Sequence, residues 1–251
     1  MKQTVFTGAA CAIVTPFDGN RKVDYKALKK QIDFQIENGT DAIVVCGTTG
    51  ESATLDSRER RQVIKSTVKQ VDGRVPVIAG TGGNNTQDVI KKSQSAESLG
   101  VDALLIVTPY YNKCSQEGLV EHYSRISDSV TKPIIVYNVP SRTGVNIKPE
   151  TYKRLSQIEN VVATKEANGD LSALMKTLML RGNELDIYCS EARERYRCFQ
   201  IFCRRLLTIL LTPHSTETQA MQPLSSSVIL TFATHFSPTL IRCPLNMQCC
   251  N

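Results

Sequence analysis

The chain of 251 residues lacks a hydrophobic run long enough to cross a membrane. Its longest stretch without charge, Thr218 to Ile241, is interrupted by Pro223, His235 and Pro238, whereas a membrane span needs about 20 consecutive apolar residues. It also lacks a block of basic residues, since 30 Lys and Arg against 24 Asp and Glu give a net charge of +6 that is scattered along the sequence. We therefore expect neither a membrane nor a nucleic acid as a partner.

Histidine is scarce, and this limits the kinds of catalysis that the chain can support. Only His122 precedes residue 189, so no Ser/His/Asp or Cys/His set can be assembled. The loop from Gly80 to Asn85 does not fit a nucleotide-binding G-x-G-x-x-G motif, because Asn85 stands where the third glycine should be. The cysteines near the end of the chain follow no strong zinc-ligand spacing. The sequence therefore predicts neither a cofactor nor a metal.

The last quarter of the chain lacks three residue types that are common before it. No lysine follows Lys176, no glycine follows Gly182 and no aspartate follows Asp186, whereas six of the nine cysteines lie in residues 189–251. We predict a catalytic domain over residues 1–188 and an aberrant tail, rich in Cys, Ser, Thr and Arg, over residues 189–251. A shift of reading frame would produce such a change of composition, and a genuine but unrelated tail is the alternative.

Before residue 189 one pattern repeats seven times: a short apolar run, a polar loop and an amphipathic helical stretch. The apolar runs are Ala9–Val14, Ala42–Val45, Val75–Ala79, Ala103–Val107, Pro133–Val139, Val161–Thr164 and Leu185–Tyr188. Continuous apolar runs are typical of parallel strands buried on both faces. The first helix is predicted over Tyr25–Ile36, with Asp24 as its N-cap. Seven such units favour an α/β fold, the (β/α)₈ TIM barrel, which is incomplete here because no eighth strand can be recognised.

Lys165 is the most informative residue, because it follows a buried strand and catalytic residues of such barrels lie at the carboxyl ends of the strands. Burial disfavours the ammonium form and lowers the pKa of a lysine. A neutral amine is what Schiff-base formation with a ketone requires. The alternative is a lysine that reaches solvent or pairs with Glu166.

Other strand ends supply polar groups to the same face of the predicted barrel. Tyr137 could relay protons, or could be a core tyrosine. Thr48 and Thr49 lie in a glycine-flanked turn and offer hydroxyl and N–H groups to a carboxylate, although ordinary turn chemistry explains them too. Arg142 could form a bidentate pair with a second carboxylate, or could be a surface arginine.

Four motifs occur in this order along the chain, at the spacing of barrel strands. They are Gly47–Ser52, Thr108–Asn112, Tyr137–Gly144 and Lys165–Ala167. Together they resemble the dihydrodipicolinate synthase (4-hydroxy-tetrahydrodipicolinate synthase) family of Schiff-base, pyruvate-dependent lyases, which includes N-acetylneuraminate lyase. The resemblance covers about residues 7–188.

The resemblance implies a lyase of lysine and diaminopimelate biosynthesis that condenses pyruvate with L-aspartate 4-semialdehyde to give 4-hydroxy-tetrahydrodipicolinate. It implies a cytoplasmic homotetramer, a dimer of dimers, where the C-terminal region is intact, and it calls for no cofactor or metal. Arg142 would bind the carboxylate of the semialdehyde. Asn84 and Tyr110 match positions at which some members bind lysine as an inhibitor, but sensitivity to lysine stays open.

The resemblance also assigns catalytic roles residue by residue. Lys165 would form the Schiff base with pyruvate, and Tyr137 would donate and accept protons. Thr49 and Tyr111 would complete a hydroxyl relay, with Tyr111 reaching into the site of a neighbouring subunit. Thr48 would support that relay, and Thr49 would also hold the pyruvate carboxylate.

Two other functions remain open at this point. The first is a related pyruvate-dependent aldolase or lyase of sugar acids, although the Thr48–Thr49 pair and Arg142 favour the synthase. The second is an inactive, truncated relic, because the family's last strand and C-terminal helices have no recognisable counterpart after Tyr188. An open barrel exposes unpaired strand edges, so we expect the chain as written to fold poorly or to be inactive.

Overall fold

A computed structural model describes residues 2–180, 184–189 and 200–202 of the chain. Seven strands lie at the positions of the predicted apolar runs, and each pairs in parallel with the next. They are β1 (Ala9–Ala12), β2 (Ala42–Val45), β3 (Val77–Gly80), β4 (Ala103–Val107), β5 (Ile134–Asn138), β6 (Val161–Glu166) and β7 (Asp186–Cys189). The predicted barrel of parallel strands is thus confirmed for these seven.

Helices lie between consecutive strands from β1 to β7, as expected for connections between parallel strands. They are α1 (Tyr25–Glu37), α2 (Ser57–Val71), α3 (Thr86–Glu97), α4 (Gln116–Ser127), α5 (Pro140–Thr143), α6 (Pro149–Leu155) and α7 (Leu171–Leu180). The predicted N-cap of α1 is confirmed, because the Asp24 carboxylate accepts hydrogen bonds from the backbone N–H groups of Lys26 and Ala27, both at 2.9 Å. None of the helices in this part of the chain combines the length and the apolar composition that a membrane crossing needs.

A short strand, β8 (Gln200–Phe202), closes the ring between β7 and β1. It runs antiparallel to both neighbours, so the barrel differs from one made of eight parallel strands. The sequence analysis did not identify this strand, because three residues carry too little periodicity to be recognised. Apart from Cys189 and β8, the predicted tail, with its cysteines, lies outside the described residues.

Alternation along the strands divides the core into two layers. One set of side chains fills the barrel interior, where Ala10, Ala42 and Ala103 leave room for larger neighbours. The other set faces the helices and includes Ile43 and Leu104, which are fully buried. Burial of each such large aliphatic side chain stabilises the fold by roughly 1.5–3 kcal/mol. This packing holds the strand ends, and the loops beyond them, in fixed positions.

Candidate active site

A pocket opens inside the barrel, at the carboxyl ends of the strands. Its floor is formed by inward-facing strand residues, and its rim by the loops after β2 and β5. The lining residues are Ala12, Val44, Gly47, Thr48, Thr49, Leu105, Tyr137, Arg142 and Lys165. The structure therefore brings together five of the six predicted site residues, among them Thr48, Thr49 and Arg142. Their chemical roles stay predictions.

Lys165 extends from β6 into the barrel and is only 4% exposed. Burial and, to a smaller extent, the nearby Arg142 guanidinium lower the pKa of its amine from 10.5 to about 8. The cause is electrostatic in both cases, since low polarity and a like charge each disfavour the ammonium form. At neutral to slightly alkaline pH a substantial fraction of this amine is therefore uncharged and nucleophilic.

Tyr137 is the neighbour of Lys165 across the sheet, because the two residues are register partners of β5 and β6. The Lys165 Nζ atom lies 4.3 Å from the centroid of the Tyr137 ring. Burial raises the pKa of the phenol, and the positive charge of Arg142 opposes this. The phenol thus keeps its proton at neutral pH and lies beside the amine.

The loop after β2 presents Thr48 and Thr49 at the rim of the pocket. Two tight turns shape it: the Gly50 N–H donates to the Gly47 carbonyl and the Glu51 N–H donates to the Thr48 carbonyl, both at 3.1 Å. The buried Thr15 hydroxyl donates to the Gly50 carbonyl at 2.7 Å and ties the loop to the end of β1. The threonine hydroxyls are therefore held next to the pocket without being buried in the core.

Arg142 reaches the pocket from α5, a single helical turn that begins directly after β5. Pro140 starts this turn, and Gly144 ends it with a left-handed φ of +69°, a conformation that favours glycine. The Gly144 N–H donates to the Pro140 carbonyl at 2.8 Å. Arg142 supplies a permanent positive charge to a pocket that contains no carboxylate among its lining residues, which suits an anionic substrate.

Tyr111 is the predicted site residue that the structure does not bring to the pocket. Its side chain is 89% exposed, and its backbone has a φ of +70°, which is uncommon and strained for a residue other than glycine. The neighbouring Tyr110 is also exposed, at 39%. The side chain of Tyr111 therefore points away from the site of its own chain.

The sequence analysis missed a buried polar group behind the pocket. The carboxylate of Glu166 accepts hydrogen bonds from the Tyr152 hydroxyl at 2.5 Å and from the Asn138 amide at 2.8 Å. Burial raises the pKa of Glu166 to about 7, while these hydrogen bonds act in the opposite direction. Only its position after Lys165 could have drawn attention to Glu166, and we had considered it as an ion-pair partner of that lysine.

No group of three or more His, Cys, Asp and Glu side chains lies close enough to hold a metal ion within residues 2–180, 184–189 and 200–202. The pocket therefore offers organic groups for chemistry: a primary amine, a phenol, two alcohols and a guanidinium. Such a set can bind and activate a small anionic carbonyl compound.

Comparison with known proteins identifies the family. The sequence model of the Dihydrodipicolinate synthetase family matches residues 5–196, and the chain belongs to that family. The 4-hydroxy-tetrahydrodipicolinate synthase of Geobacter metallireducens is 54% identical over 187 residues, which are 74% of this chain and 64% of the relative. The chain thus spans slightly less than two thirds of the length of this relative.

Solved structures agree with this assignment. The dihydrodipicolinate synthase of Acinetobacter baumannii, described as chloride-inhibited and complexed with pyruvate, superimposes with a TM-score of 0.73 at 44% identity, over 75% of this chain and 64% of that one. A protein described as the first monomeric dihydrodipicolinate synthase variant gives a TM-score of 0.73 at 43% identity, with the same coverage.

Proposed function

We propose that this chain carries the active site of a 4-hydroxy-tetrahydrodipicolinate synthase, a lyase that condenses pyruvate with L-aspartate 4-semialdehyde through a Schiff base on Lys165. The observation that carries the proposal is the buried amine of Lys165, whose pKa is lowered to about 8 beside the phenol of Tyr137 and the charge of Arg142. The family membership of residues 5–196 supports the choice of substrates.

The reaction begins with attack of the neutral Lys165 amine on the ketone carbon of pyruvate. The ketone oxygen takes one proton from the attacking nitrogen and a second proton from an acid in the pocket, and it leaves as water, so that a carbon–nitrogen double bond replaces the carbon–oxygen double bond. Tyr137 is the proposed donor of that second proton, and Thr49, with Thr48 in support, would return protons to the phenol. The proximity of the two residues supports this role, since the Nζ atom of Lys165 lies 4.3 Å from the centroid of the Tyr137 ring.

Loss of a proton from the pyruvate methyl group then gives an enamine, whose carbon attacks the aldehyde of the semialdehyde. The amino group of the semialdehyde displaces Lys165 from the former ketone carbon and closes the ring. The products are the cyclic hydroxy acid, the free enzyme amine and one molecule of water. Thr49 would hold the pyruvate carboxylate, and Arg142 that of the semialdehyde, because each lines the pocket.

The proposal extends to assembly and location. Tyr111 would complete the relay of a neighbouring subunit, an arrangement supported by its 89% exposed side chain and its strained backbone. With an intact C-terminal region we expect the cytoplasmic homotetramer that the resemblance implies. Lysine biosynthesis is the corresponding process.

An inactive relic is the second candidate, and one observation favours it. The family match ends at residue 196 of 251, and the chain spans only 64% of the Geobacter relative. A relic of this kind would keep the pocket residues but would lack turnover. An aldolase of sugar acids remains the alternative within the enzyme class.

Reduction by borohydride in the presence of pyruvate tests the proposal. We expect the full chain to gain the mass of one reduced pyruvate, located on the peptide that contains Lys165. Lys165→Ala should abolish the gain, whereas Lys148→Ala, at an exposed lysine, should leave it unchanged. An adduct with turnover of aspartate semialdehyde supports the synthase, cleavage of a sugar acid supports the aldolase, and absence of any adduct supports the relic.

A further inference from the structure

Glu166 lies directly behind Lys165 on β6, on the opposite face of the strand. Adjacent strand residues point to opposite sides, so Lys165 faces the pocket while Glu166 faces the helices, 6% exposed. One carboxylate oxygen accepts from the Tyr152 hydroxyl at 2.5 Å, and the other accepts from the Asn138 amide at 2.8 Å and from the Ala167 N–H at 3.1 Å. Both oxygens are therefore held in place by donors.

Asn138 extends this group of hydrogen bonds to the segment that carries Arg142. The side-chain NH₂ group of Asn138 also donates to the Asn146 side chain at 2.8 Å, and the side-chain oxygen of Asn138 accepts from the Ile147 N–H at 3.3 Å. Helix α5, with Arg142, lies between Asn138 and Asn146 in the sequence. The hydrogen bonds of Asn138 therefore hold both ends of the segment that brings Arg142 to the pocket.

Tyr152 fixes the group from the helix layer. It is only 1% exposed, and both burial and the Glu166 carboxylate keep the pKa of its phenol well above the usual value. The phenol therefore remains a donor at any pH of interest. Its oxygen also lies 3.3 Å from the Thr164 hydroxyl, one residue before Lys165. Tyr152 thus contacts β6 at Thr164 and at Glu166, the residues before and after Lys165.

The register of β5 and β6 couples these outward contacts to the pocket. Tyr137 is the partner of Lys165, and Asn138 is the partner of Glu166. Since a strand cannot move one residue without moving the next, the outward pair determines where the inward pair lies. A buried hydrogen-bond group that is fully satisfied makes such an arrangement rigid.

From this geometry we infer that Glu166 is a positioning residue, which acts through Tyr152 and Asn138 to hold Lys165 against Tyr137 and to hold Arg142 at the pocket. The inference rests on the proposed role of Lys165 as the condensing amine. It adds a residue that touches no substrate but sets the reactivity of one that does.

The expected consequence is a change in the Lys165 amine itself. Burial and the nearness of Arg142 are the two causes that keep the pKa of Lys165 low. Loss of the Glu166 hydrogen bonds would let water reach the amine and would free the Arg142 segment, so both causes weaken and the pKa rises. A rise by one pKa unit leaves roughly tenfold less neutral amine at pH 7.

The test measures the reactivity of Lys165 without pyruvate. The full chain is treated with a small amine-acylating reagent across a pH series, and the rate at the Lys165 peptide is followed by mass spectrometry. We expect Glu166→Ala to slow the reaction at pH 7 about tenfold, Tyr152→Phe to slow it less, and Glu166→Gln to stay close to the unsubstituted chain, since glutamine still accepts from Asn138. Glu150→Gln, at an exposed position of α6, is the control.

Thermal unfolding and pyruvate trapping separate the outcomes. If Glu166→Ala and Tyr152→Phe unfold cooperatively and Lys165 reacts at the unsubstituted rate, the inference is wrong and the two residues serve stability alone. If Glu166→Ala does not fold, the rate of Tyr152→Phe, which loses only a hydroxyl, decides. If the unsubstituted chain does not trap pyruvate, the proposed function is refuted. The acylation rates of the Glu166 variants still test the positioning role, because acylation does not require pyruvate.

Discussion

Replacing His122 by glutamine should make the folded chain less sensitive to acid. His122 lies in α4 with 4% exposure, and its Nδ1 atom is 2.9 Å from the Thr86 hydroxyl. Burial lowers the pKa of the imidazole from 6.5 to about 4. At pH values between these two pKa values, the imidazole binds a proton in the unfolded chain but not in the folded chain. The free energy of unfolding therefore decreases as the pH falls below about 6.5. From pH 7 to pH 5 the loss is about 2 kcal/mol.

Protonation of Glu166 affects the stability of the fold in the opposite direction over almost the same pH range. Burial raises the pKa of its carboxyl from 4.5 to about 7, so here the folded chain holds a proton that the unfolded chain releases. This group therefore stabilises the fold at low pH, and that contribution is lost as the pH rises through about 7. From pH 7 to pH 5 it adds about 2 kcal/mol, which offsets the loss from His122.

The assay is urea unfolding followed by circular dichroism at pH 7, 6 and 5. The unsubstituted chain should change little in its free energy of unfolding. Between pH 7 and pH 5, the free energy of unfolding of His122→Gln should rise by about 2 kcal/mol relative to that of the unsubstituted chain. That of Glu166→Gln should fall by a similar amount. Glu150→Gln serves as the exposed control. Equal pH dependence in His122→Gln and the unsubstituted chain would show that the histidine is not held neutral.

Two further predictions concern a close contact and a charge. Gly80→Ala should destabilise the barrel by about 2 kcal/mol or more, because the new Cβ would overlap the backbone carbonyl of Cys46. Gly19→Ala is the control and should leave the stability unchanged, because no atom lies within 4 Å of the added Cβ. Thermal unfolding of both variants checks this prediction. Arg142→Met should raise the pKa of Lys165, since the guanidinium helps to keep that pKa low. Acylation of Lys165 at pH 7 should therefore slow. An unchanged rate would show that the charge of Arg142 does not lower the pKa of Lys165.

The parts of the fold that could be predicted are those with a local pattern. The seven parallel strands are continuous apolar runs, and α1 has both a repeating apolar face and an acceptor at Asp24 for its first N–H groups. The pocket followed from the fold, since the carboxyl ends of barrel strands face one another. Lys165 and Tyr137 could therefore be placed together although 28 positions separate them.

The parts that could not be predicted depend on contacts between distant residues. The donors to Glu166 come from α6 and β5, and neither Tyr152 nor Asn138 shows in the sequence that it faces a carboxylate. Strand β8 has three residues and runs antiparallel, so no periodic signal marks it. Tyr111 is placed by a strained loop and points away from its own pocket.

The residues that line the pocket all precede β7 in the chain. Every residue that lines the pocket belongs to β1–β6, to α5 or to the loop after β2, and the last is Lys165. The groups to which we assign the capture of pyruvate therefore lie within the segment that matches the family. The barrel is closed by β7 and β8, which follow Lys165 in the chain, and Tyr188 of β7 stacks on Phe6 at a centroid distance of 4.4 Å. A defect in the part of the chain after Lys165 should thus weaken folding, while the groups assigned to the capture of a keto acid are all retained.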